Sequence, residues 1–103
     1  MLMCVIEFGT VPGQEDRNRA LVTEMIEEAK TIDGFISKET FLSRDNQGKV
    51  ITISYWRDEV ALQAWMRHER HRQVIPLGRK ELFTHYTIQI AEVKREKAWT
   101  KPA

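Results

Sequence analysis

This chain has little of what marks the specialised protein classes. A single cysteine, Cys4, stands among 103 residues, so no internal disulfide can form and the disulfide-stapled secreted scaffolds are excluded. Three prolines and five glycines build no linker or low-complexity segment, and no internal repeat points to a solenoid. Long apolar runs are missing too. The first one, Leu2–Ile6, is broken by Glu7 and lacks a basic region before it, too short for a signal peptide or a membrane span. Excess charge is also absent: 16 basic against 15 acidic side chains leave +1, a field that calls for neither nucleic acid nor an anionic membrane. What is present is ordinary for a soluble globular protein, with 42% hydrophobic and 30% charged residues. The expectation is one small domain in a reducing cytoplasm, with room for one core only.

The patterning is more informative. Leu2–Phe8 is apolar at nearly every position, as a strand covered on both faces would be, with Glu7 the exception. Pro12-Gly13 marks a turn and a helix entry. From about Glu15 to Ile32 the apolar positions Leu21, Val22, Met25, Ile26, Ala29 and Ile32 recur at three and four, one stripe of an amphipathic helix that Gly34 is placed to end. Phe35–Ser43 and Lys49–Trp56, joined by the polar turn Arg44–Gly48, read as an antiparallel hairpin. On its second strand Ile51, Ile53 and Tyr55 share one face, and Val50, Thr52, Ser54 and Trp56 the other. Neither is a face for water. Asp58 is placed to cap a second helix with Ala61, Leu62, Trp65 and Met66 as its buried stripe. That helix would carry Trp65, His68 and His71 together, followed by a short helical piece ending near Pro76. Phe83–Val93 alternates as a last strand, with Tyr86, Ile88 and Ile90 on one face.

The order β-α-β-β-α-β predicts an α+β, ferredoxin-like domain over residues 1–93: a four-stranded antiparallel sheet with helices on one face, and a charged tail over 94–103. Strands apolar on both faces then need a second cover. The simplest is another copy of the chain packed sheet against sheet, a homodimer closed as a dimeric α/β barrel.

With that order in place, the chain resembles the antibiotic biosynthesis monooxygenase family of dimeric α+β barrels. The resemblance rests on Val11-Pro12-Gly13, Asp33-Gly34-Phe35, and Ser54-Tyr55-Trp56-Arg57-Asp58-Glu59. The last runs into Ala61-Leu62-Gln63-Ala64-Trp65 and His68-Glu69-Arg70-His71-Arg72, and the similarity covers about Leu2 to Val93. It implies a homodimer with one pocket per subunit between sheet and helices. It also implies small oxygenases that oxidise electron-rich aromatic or quinol-like substrates with molecular oxygen and no metal or flavin cofactor. Heme degraders of the family carry a tryptophan matched by Trp65. Their first-strand asparagine is replaced here by Glu7, and their histidine falls near Ile75, a departure that counts against heme degradation.

The candidate side chains follow. Trp65 can wall a flat substrate or simply fill the core, and its Nε1–H needs a partner if buried. His68 and His71, three apart, would project from neighbouring positions. Either could act as a general base, drawing a phenolic or enolic proton to leave an anion that reacts with oxygen. As metal ligands they are incomplete, because a catalytic zinc site wants three. Glu7 could be a pocket acid or base or point outward at a strand end. Tyr55 and Tyr86 could offer hydroxyls to a ligand, although aromatic strand residues are usually packing. Arg67, Arg70, Arg72, Arg79 and Lys80 could attract an acidic substrate but read first as a solvated basic face. Cys4 reads as inert core, and Trp99 as an anchor for the tail on a partner subunit, with a frayed terminus as the alternative. The leading expectation is a cofactor-independent monooxygenase for a small aromatic or quinol-like substrate. A non-enzymatic small-molecule binding or sensing dimer is the alternative, and a heme-handling protein ranks behind both.

Overall fold

In the computed structural model, which describes residues 1–103, eight segments alternate in the expected order. They are β1 (Leu2–Thr10), α1 (Glu15–Ala29), β2 (Phe35–Leu42), β3 (Lys49–Trp56), α2 (Glu59–Arg67), α3 (Glu69–Leu77), a π-helical turn (Gly78–Leu82) and β4 (Phe83–Glu92). The strands form one antiparallel sheet in the order β2-β3-β1-β4. This is the ferredoxin-like arrangement. No helix is long and apolar enough to cross a membrane, and beyond Glu92 the chain has neither helix nor strand.

Side-chain parity divides the sheet. Val50, Thr52, Ser54 and Trp56 of β3 are all buried, while Ile51, Ile53 and Tyr55 between them are partly exposed, so the helices cover the first set. Register extends this across the sheet. Cys4 lies opposite Ser54 and Ile90, and Phe8 opposite Val50 and Tyr86, all on the helix side. Met3, Val5 and Glu7 therefore lie with Tyr55, Ile53 and Ile51 on the outer side. The main core forms where α1 and α2 meet the sheet, from Cys4, Met25, Ala29, Trp56, Ala61, Leu62 and Trp65. Trp56 is completely buried, and its Nε1–H donates to Ser54 Oγ at 2.9 Å, so the indole enters the core with its polar atom satisfied.

Three expectations about the helices are corrected. α1 stops at Ala29 instead of Ile32, because the Thr31 hydroxyl donates to the Glu28 carbonyl at 2.7 Å and closes the last turn. Gly34 therefore does not cap the helix. It supplies a positive-φ turn (φ +95°) into β2, its carbonyl accepting from Arg57 N at 2.8 Å. The second helix, capped by Asp58 accepting from Ala61 N at 3.0 Å, ends at Arg67. His68 is extended (ψ 129°), so Trp65 and His71 sit on different helices. The break lets α3 run along α1, where Arg70 grips Glu24 side-on, Nε and Nη2 each donating to one carboxylate oxygen (Nη2 to Oε1, 2.9 Å). α3 ends at Leu77, next to Pro76 as expected, and leads directly into the π-helical turn.

Candidate functional site

Between the sheet and its helices lies a cavity of about 200 Å³. Its floor is Cys4, Ile6 and Phe8 of β1 with Ile88 and Ile90 of β4. Leu21, Val22 and Met25 of α1 form one side, and Trp65, Met66, His71, Val74 and Ile75 the other. Arg79, Phe83 and Tyr86 stand at one end, and Lys38 reaches in from β2. The lining is mostly hydrocarbon and contains no aspartate or glutamate. That suits an apolar ligand with few polar groups.

Trp65 organises the polar part. It is 3% exposed and stacks on Trp56 at 6.0 Å between centroids, on His71 at 4.2 Å and on His68 at 5.7 Å. His71 Nδ1 lies 3.2 Å from the Trp65 carbonyl oxygen. A carbonyl can only accept, so Nδ1 carries the proton and Nε2 keeps its lone pair in the neutral ring. Burial, then the charge of Lys38, push the His71 pKa down to about 4. At neutral pH it is an uncharged imidazole.

The structure separates the residues that sequence singled out. Trp65, His71 and Tyr86 reach the cavity. His68 stacks on Trp65 but turns Nε2 to Glu28 Oε2 at 3.4 Å and does not line the cavity. Glu7 is corrected as a pocket group: strand parity puts it on the outer face, where it pairs with Lys49 Nζ at 2.8 Å. Tyr55 is corrected for the same reason, since it faces outward opposite Met3. The Tyr86 hydroxyl accepts from Arg79 Nε at 2.7 Å. No group of three His, Cys, Asp or Glu side chains is gathered to hold a metal ion.

Sequence reasoning missed Lys38. Its Nζ lies 4.6 Å from the Trp65 ring centroid, a cation–π distance, and no carboxylate pairs with it. Burial lowers its pKa to about 8. The available signal was parity. Lys38 shares its face with Thr40, which hydrogen-bonds Thr52 on the buried side of β3.

A family model described as antibiotic biosynthesis monooxygenase matches residues 1–77. A jasmonate monooxygenase of Pyricularia oryzae is 27% identical over 93 residues, which is 90% of this chain and 43% of that protein. The chain thus spans under half the length of that relative. A Mycobacterium tuberculosis protein of solved structure superposes with a TM-score of 0.84 at 18% identity, over 94% of this chain and 98% of the other. SnoaB, a cofactor-independent oxygenase from Streptomyces nogalater, superposes with a TM-score of 0.79 at 12% identity, over 92% and 94%. At such identities these two structures speak for the fold alone.

Proposed function

Since the chain belongs to the antibiotic biosynthesis monooxygenase family, we propose that it is a cofactor-independent monooxygenase for a small aromatic or quinol-like substrate. The observation that carries this reading is the Trp65–His71 stack on the wall of an apolar cavity. A flat ring lies against the apolar lining beside Trp65, and the free Nε2 of His71 accepts a hydrogen bond from its hydroxyl. Loss of that proton leaves an electron-rich anion able to reduce oxygen directly. The electrons come from the substrate: one ring C–H of the quinol becomes C–OH, the ring is oxidised to the quinone level and the second oxygen atom leaves as water, so no reductant is required. His71 and not His68 is the histidine of this site, because His68 is engaged with Glu28 outside the cavity.

The assembly proposed with it is a cytoplasmic homodimer, the outer sheet faces packing on each other through Met3, Val5, Ile51, Ile53 and Tyr55. Oxygen uptake with a panel of hydroquinones and polyphenols tests the chemistry. His71→Ala is expected to lower turnover at least about tenfold with the fold retained, the usual scale for a group assisting proton transfer. His68→Ala should leave turnover within about twofold. Ligand binding without uptake across the panel would favour a sensing dimer instead.

A further inference from the structure

We infer that the cavity holds its ligand as an oxyanion, the phenolate or enolate of an apolar molecule, and that Lys38 is its counter-ion. The inference deepens the oxygenase reading and rests on it only for what happens to the anion after binding.

The first ground is charge. The lining contains two cationic side chains, Lys38 and Arg79, and no carboxylate. Arg79 Nε is already hydrogen-bonded to the Tyr86 hydroxyl at one end. Lys38 is largely buried and pairs with no acidic group anywhere in the chain, its ammonium resting over the Trp65 ring. A charge drawn largely out of water without a partner is costly, and folded proteins ordinarily neutralise one. The second ground is that no neighbour can do so. The titratable groups coupled to the ammonium are Cys4 from β1 and His71 from α3; Tyr86 lines the cavity from β4, the opposite edge of the sheet, and α1 contributes only Asn18, Leu21, Val22 and Met25 to the lining. Burial raises the Cys4 pKa and keeps its thiol protonated. The third ground is position. Lys38 could have faced water had β2 run one residue out of register, as Glu39 does now; instead it enters the cavity beside the aromatic wall. An anionic oxygen on a ring lying beside Trp65 would supply the missing charge.

The proton is accounted for in both states of Lys38. When Nζ is neutral, the ligand O–H transfers its proton to it. When Nζ is already charged, the phenolic proton leaves to solvent by way of His71 Nε2. Each route ends in the same ammonium–oxyanion pair, with no bond to carbon made or broken.

The test uses a nitronaphthol coloured only as its anion, titrated by absorbance with excess wild-type protein and with Lys38→Met and Lys38→Arg. Wild type is expected to lower the pKa of the bound phenol by about one unit or more, a tenfold gain in ionisation. Lys38→Arg should keep most of that shift and Lys38→Met should lose it. An undiminished shift in a folded Lys38→Met overturns the inference. Should Lys38→Met fail to fold, the Lys38 13Cε resonance of wild type is titrated with and without the same naphthol. A rise in the lysine pKa on binding supports the pair, and an unchanged value removes it. Oxygen uptake read in parallel separates the two readings. A lysine-dependent shift without uptake by any quinol keeps the anion site and drops the oxygenase, and uptake without a shift does the reverse.

Discussion

Two ionisable side chains in the cavity make its chemistry visible as a stability profile. His71 titrates near 4 when folded and near 6.5 when unfolded, so the unfolded chain binds more protons between those values. Its contribution is complete above 6.5 and is lost as the pH falls toward 4. Lys38 titrates near 8 when folded against 10.5 unfolded, so its contribution is missing below 8 and recovered as the pH rises to 10.5. Thermal melts should therefore show wild type losing stability relative to His71→Phe between pH 6.5 and 4. They should also show wild type gaining on Lys38→Met between pH 8 and 10.5. At pH 7, Lys38→Met should melt higher than wild type, the expected sign where a functional group is kept at a cost in stability. A lower melting point would mean that the contact with Trp65 outweighs desolvation.

At the scale of elements, the two glycine turns flanking α1 carry different steric conditions. Gly34 combines φ +95° with a position where an added Cβ would meet the Ala61 Cβ at 2.5 Å. Gly13 has φ +89° and nothing within 4 Å. Gly34→Ala should thus destabilise by roughly 2–4 kcal/mol, backbone strain plus overpacking. Gly13→Ala should cost only about 1 kcal/mol. Urea denaturation of both separates the two effects. The strands and α1 were legible because their apolar spacing states a period, and Lys49–Trp56 matches β3 end for end. The break at His68 was not, since Arg67–Gln73 holds no proline or glycine; it is set by the docking of Arg70 on Glu24, 46 residues away. Glu7 stayed open between pocket and outer face because a strand apolar at almost every position does not announce which side is inward. Lys38 was passed over for the opposite reason: a lone lysine in a strand reads as solvent-facing until a helix is placed above it.

For the whole molecule, the outer sheet face is the surface on which the proposed assembly depends. Ile51, Ile53 and Tyr55 are only partly exposed, Phe41 beside them is 46% exposed, and the one ion pair among them is Glu7 with Lys49. A formal charge of +1 offers little repulsion between copies. Equilibrium sedimentation at micromolar concentration should return a dimer, and Ile53→Lys, at the centre of that face, a folded monomer. A wild-type monomer would leave the face without the proposed partner. In a dimer, Trp99, 78% exposed on the tail of the single chain, should change its fluorescence on dilution only if it packs across the interface.

Cys4 gives the cavity a property of a different kind, its durability. The thiol lies on the floor of the chamber where oxygen would be reduced, and only a thiolate reacts quickly with peroxide. Burial, by raising the Cys4 pKa, keeps that thiolate scarce at neutral pH. Met25 and Met66 share the lining and need no ionisation to form sulfoxides. If the proposed oxygen chemistry runs there, two thioethers stand open to oxidation without ionising, while burial holds the cysteine in its less reactive thiol form.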